Sequence, residues 1–89
     1  MSDVKIDPND LSAVGARLKR AQGQLGGIVA MIEAGRDCED IVTQLAAVSK
    51  AVDRAGFQVI ATGLRQCMAD PDQTGVDVAK LEKLFLSLA

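Results

Sequence analysis

The chain has 89 residues, 48% of them hydrophobic, with a net charge of −2, two cysteines, two phenylalanines and no histidine, tryptophan or tyrosine. That length leaves room for one domain, residues 1–89, and the apolar content excludes a disordered chain. Without histidine there is no Cys–His or Ser–His–Asp catalysis and no His-bearing zinc site. The polar, acidic start MSDVKIDPND does not read as a signal peptide, and no apolar run approaches the ~20 residues of a membrane span. A cytoplasmic location and no membrane partner are expected. In that compartment two cysteines favour metal or redox chemistry over a structural disulfide.

Residues 1–9 read as a flexible arm, with helix-start chemistry at Pro8, Asn9 and Asp10. A first helix is predicted from about Asp10 to Ala34, with an apolar face of Leu11, Val14, Leu18, Leu25, Ile28, Met31 and Ile32. Gly15, Gly23, Gly26 and Gly27 each cost it about 1 kcal/mol relative to alanine. They suit tight packing by another helix, or close approach of a ligand such as DNA. Gly35 fits a C-cap. Asp37 or Cys38 then opens a second helix with Glu39 and Asp40 in its first turn, where the dipole favours acids. It runs to about Ala69, and Ile41, Val42, Leu45, Val48, Val52, Val59, Ile60 and Leu64 recur along it at helical spacing. Asp70 to Gly75 is a turn-rich linker. A third helix is predicted from about Asp77 to Leu88, with Val78, Leu81, Leu84, Phe85 and Leu88 on one face. The fold class is all-α. Two long helices and one short one cannot close a core alone, and a second copy completing a four-helix bundle would bury the open face.

Sulfur is the reactive element that remains. Cys38 and Cys67 stand 29 positions apart, roughly 43 Å along an unbroken helix at 1.5 Å per residue. A disulfide needs Cα atoms within about 7 Å. One chain cannot bring them together, but two antiparallel copies place Cys38 of one beside Cys67 of the other. If the thiols act together, the protein is a symmetric dimer with two sites; otherwise each is an inert buried residue. A helix N-terminus and Arg36 favour thiolate at Cys38, and the neighbouring acids oppose it. Cys67 lacks the dipole, though Arg65 is near. Arg17, Lys19 and Arg20 cluster in a stretch, Ser12 to Ile32, that contains no acid. Lys50 and Arg54 share a face of the second helix. Dimer symmetry would double these charges for phosphate contact; alternatively they form a solvated face. No helix-turn-helix spacing is evident, and the exposed carboxylate pairs do not suggest an enzyme.

The segment RLKRAQGQLGGIVAMIEAGRDCEDIVTQLAAV (Arg17–Val48), with a cysteine 29 positions after Cys38, closely resembles the copper-sensing-repressor (CsoR-type) family of bacterial transcriptional regulators. The resemblance implies an antiparallel homodimer of the two long helices. It implies assembly to a dimer of dimers, a homotetramer, aided by the third helix. Operator DNA would be bound by basic residues of the first two helices, here Arg17, Arg20, Lys50 and Arg54, with Lys19 and Gln24 beside them. DNA would be released when an inducer occupies a site made from both protomers. Copper members pair cysteines matching Cys38 and Cys67 with a histidine four positions before the latter, where this chain has Gly63. They tend to carry an aromatic where it has Asp37. Nickel, cobalt and formaldehyde members depend on histidines or an N-terminal proline, both missing. Two cysteines without histidine look like the persulfide-sensing (CstR-like) branch, in which reactive sulfur joins the two cysteines across protomers. Gly63 also departs from the polar residue expected there. The expectation is therefore a repressor that senses reactive sulfur species through Cys38 and Cys67, with Cys38 attacking and the partner's Cys67 resolving, and with no cofactor. The alternative is a Cu(I)-responsive repressor holding the ion between two thiolates. A rival class is a helical dimer that carries sulfur or metal, or holds a partner protein, without binding DNA.

Overall fold

A computed structural model describes residues 6–69 and 78–89, and these residues form helices and no strand. A 3-10 turn, Pro8–Leu11, leads into α1 (Ser12–Glu33). The long α2 (Cys38–Ala69) and the short α3 (Val78–Leu88) follow. The all-α expectation holds. The linker from Asp70 to Gly75 and residues 1–5 of the expected arm lie outside the described residues.

The start of the fold differs from the prediction by a few residues. The Asp7 carboxylate accepts the Asn9 N–H at 2.9 Å, and the Asp10 N–H returns to the Asp7 carbonyl at 2.9 Å. That i→i+3 bond is the tighter 3-10 geometry, so the α-helix begins only at Ser12. The capping carboxylate is Asp7, and Pro8 and Asn9 belong to the turn rather than to an arm.

The reversal between α1 and α2 follows its sequence closely. Gly35 has φ +70, the left-handed conformation glycine adopts without a Cβ penalty. Its N–H donates to the Ile32 carbonyl at 3.1 Å, and the Arg36 N–H to the Met31 carbonyl at 2.9 Å. These two bonds are the Schellman pattern, which satisfies carbonyls that a helix end leaves orphaned. The Asp37 carbonyl then accepts the Ile41 N–H, opening α2.

The hairpin closes along one seam with a seven-residue repeat. Val14, Ala21 and Ile28 of α1 are buried, and so are Val48, Ala55 and Thr62 of α2, with Ile41 packed against this core. A strict 3.5-residue period is that of a left-handed coiled-coil pair. The apolar faces expected from sequence therefore divide in two. Leu18, Leu25, Val29 and Ile32 of α1 and Val42, Leu45 and Val52 of α2 remain exposed in the protomer. The tight packing expected at the α1 glycines is not made within one chain: a Cβ on Gly15, Gly23, Gly26 or Gly27 would meet nothing within 4 Å.

α3 lies against the later part of α2. Leu81 is buried, and the rings of Phe57 and Phe85 stand 5.2 Å apart, tilted by 56°. Leu88 covers Gly56. The protomer is a rod of 54 × 25 × 19 Å.

Candidate functional site

The two cysteines occupy opposite ends of α2. Cys38 is its first residue, exposed and free, so the inert buried alternative does not apply to it. Cys67 belongs to the last turns of the same helix. Because α2 is unbroken, about 43 Å of helix separates them, and one chain cannot join them.

The surroundings of Cys38 differ from expectation in one respect. The Arg36 guanidinium Nη2 pairs with the Asp40 carboxylate at 3.4 Å, so its charge is directed at an acid rather than at the sulfur. Both side chains are more than half exposed, and such a pair contributes about 0–1 kcal/mol. What remains near the thiol is the N-terminus of α2, with Glu39 and Asp40 in its first turn.

The other end of α2 is polar. The buried Thr62 hydroxyl donates to the Gln58 carbonyl at 2.8 Å and accepts from Arg65 at 3.1 Å. The Gln66 amide donates to the Asp10 carboxylate at 2.9 Å, tying the turn before Cys67 to the start of the chain. The Gln58 Oε1 is buried without a hydrogen-bond partner. Gly63, where copper members of the resembled family carry histidine, is buried. Asp10 was marked only as helix-start chemistry and Gln66 not at all, because their pairing depends on hairpin register.

The basic residues separate into two groups. Arg17, Arg20 and Gln24 of α1 line one groove, a cavity of about 280 Å³, with Ala51 and Arg54 of α2. The spacing of the α1 residues, three and then four, puts them on one helix face. Lys19 and Lys50 are exposed but do not line this groove. No ion pair with another described residue engages Arg17, Arg20 or Arg54. Among the described residues, no three His, Cys, Asp or Glu side chains gather as a metal site within one protomer.

Fold and site together define a small helical-hairpin protein with a thiol at each end of one helix and a cationic groove across both. The sequence profile of the metal-sensitive transcriptional repressors matches residues 10–87, and the chain belongs to that family. YrkD of Bacillus subtilis (strain 168) is 42% identical over 58 residues, 65% of this chain and 92% of that protein. The copper-sensing transcriptional repressor CsoR of Bacillus subtilis (strain 168) is 37% identical over 59 residues, 66% of this chain. That of Mycobacterium ulcerans (strain Agy99) is 34% identical over 69 residues, 78% of this chain. The chain spans 58% and 59% of the lengths of these two copper sensors. No solved structure matches it.

The comparisons correct one expectation. The expectation of no cofactor does not agree with a metal-sensitive family and copper-sensing relatives, which point to metal binding. The absence of histidine removes a third ligand but leaves the thiols. Thiolate is a soft donor suited to Cu(I), and the chain carries two thiols, Cys38 and Cys67.

Proposed function

We propose that residues 1–89 form one regulatory domain that binds operator DNA as a homodimer or a dimer of dimers. In this proposal its signal arrives at Cys38 of one protomer and Cys67 of its partner, and reactive sulfur species are that signal. The observation that carries the proposal is the unbroken α2 with a cysteine near each end. Antiparallel pairing through the exposed stripes of α1 and α2 would set the two thiols side by side. The Cys38 thiol takes the terminal sulfur of a low-molecular-weight persulfide, giving a Cys38 persulfide and the donor's free thiol. The partner's Cys67 thiolate then attacks the Cys38 Sγ, forming an Sγ–Sγ disulfide and releasing the outer sulfur as hydrosulfide. Arg17, Arg20, Gln24 and Arg54 contact DNA phosphates through their groove, and Lys19 and Lys50 add charge beside it.

A second reading has Cu(I) as the inducer, and the copper-sensing relatives favour it. Cys38 and the partner's Cys67 would hold the ion, which would supply the bridge between protomers.

Intact mass under non-reducing conditions separates the two readings. Treatment of the reduced protein with a persulfide donor should give a covalent dimer with two cross-links, and sulfide alone should not. An unmodified chain after donor treatment, combined with a dimer that retains copper in native mass spectra, would move the assignment to Cu(I).

A further inference from the structure

We propose that the groove between α1 and α2 is a clamp for a terminal phosphate group, and that small phosphate-ended anions such as pyrophosphate compete there with duplex DNA. Three guanidiniums, Arg17 and Arg20 from one helix and Arg54 from the other, line a single cavity of about 280 Å³ together with the Gln24 amide. Like charges gathered this way repel one another, and an anion among them relieves the repulsion. α1 offers no competing carboxylate beside the groove, since its one acid is Glu33 at its last position, more than two turns beyond Gln24. On α2 the neighbouring acid, Asp53, is exposed and does not line the groove. The planar fork of arginine matches phosphate oxygens two at a time.

Charge decides which phosphate fits better. A DNA phosphodiester carries one negative charge, whereas a terminal phosphate carries about −1.5 to −2 near neutral pH. The second offsets more of the three positive charges in the groove. Because the cavity draws on both helices, its occupant also ties α1 to α2. The competition rests on the proposal that this groove contacts DNA, whereas the clamp itself does not.

Thermal unfolding of the full chain tests the clamp. Circular dichroism is the suitable probe, since there is no tryptophan or tyrosine. Pyrophosphate in metal-free buffer should raise the midpoint; dimethyl phosphate and sodium chloride at matched ionic strength should not. The rise should vanish in Arg17→Ala and Arg54→Ala, be equally absent in the gentler Arg17→Gln, and persist in Lys83→Ala on α3. An equal rise in wild type and in the Arg17→Ala/Arg54→Ala protein, or an equal rise with dimethyl phosphate, would overturn the clamp. For competition, the probe is a labelled random-sequence duplex at low salt. At pyrophosphate ten times its own dissociation constant, the apparent Kd of the duplex should rise about tenfold by mass action. A raised midpoint with the duplex still bound would overturn the competition. Duplex binding that survives Arg17→Ala/Arg54→Ala while the pyrophosphate effect disappears would support the clamp and defeat the assignment of this groove to DNA.

Discussion

Leu88 closes over Gly56 so tightly that a Cβ on the glycine would lie 2.7 Å from the leucine Cδ1. The contact adjoins the Phe57–Phe85 ring pair, and together they fasten α3 to α2. Gly56→Ala should change stability by less than about 1 kcal/mol, because the end of the leucine can swing aside and alanine gains about that much helix propensity. Gly56→Val adds bulk that rotation of Leu88 does not accommodate, and should cost about 1–3 kcal/mol. Urea unfolding followed by circular dichroism measures both. A Gly56→Val protein as stable as wild type would show that this contact does not hold α3.

Adjacent residues of α1 should respond very differently to truncation. Ile28 is 4% exposed and Val29 is 53% exposed. Ile28→Ala removes side-chain volume from the hairpin seam and should cost about 2–5 kcal/mol. Val29→Ala removes little that one protomer buries. Its effect should fall on self-association, and should grow as protein is diluted. Equal losses at both positions, independent of concentration, would contradict this division of the helix into an inner and an outer stripe.

The outer stripe of α2 gives a sharper test of self-association. Leu45 and Val52 are exposed in the protomer. If a second copy covers them, Leu45→Asp or Val52→Asp buries an unpaired carboxylate at the interface, which is strongly disfavoured. Sedimentation should show a shift to monomer with helicity partly kept. An unchanged oligomer would place the interface elsewhere.

Removal of Arg17 or Arg54 should weaken duplex binding and reduce the slope of log affinity against log salt by about one for each phosphate that is no longer neutralised. Lys19 lies outside the groove, so Lys19→Ala should have the smaller effect. A salt slope unchanged by Arg54→Ala would mean that α2 does not reach the DNA.

The cross-protomer thiol pair makes a prediction about mixtures. Cys38→Ser alone and Cys67→Ser alone should each fail to form a covalent dimer with a persulfide donor. Mixed together, they leave one intact Cys38–Cys67 pair per mixed dimer and should form a single cross-link. Cross-linking of either variant by itself would refute the antiparallel arrangement.

Much of this fold was legible in the chain. Gly35 announces its turn because the left-handed conformation there suits glycine, and the apolar spacing marks all three helices. What periodicity could not reveal is which apolar stripe turns inward. Val14, Ala21 and Ile28 differ from Leu18, Leu25 and Ile32 only in register, and burial of the first set is decided by α2, not by α1. Two small residues, Ala21 and Ala55, are among the most buried, yet neither stood out beside larger neighbours. The basic groove was half visible. Arg17, Arg20 and Gln24 share a face by spacing, whereas the convergence of Arg54 and the separation of Lys50 depend on how the hairpin is aligned. The metal was misjudged because a missing histidine weighed more heavily than two soft thiols.

The length of α2 has a consequence for how long a signal would last. In the proposed antiparallel pairing, each α2 ends in two different thiol sites, so a dimer linked at both is a closed covalent ring with rungs about 43 Å apart. A ring cannot trade subunits. Unmodified dimers should exchange protomers with isotope-labelled ones, whereas doubly linked dimers should keep their original partners until a reductant opens both rungs. The state of the repressor would then persist as a memory held in subunit identity, independent of whether the inducer is still present.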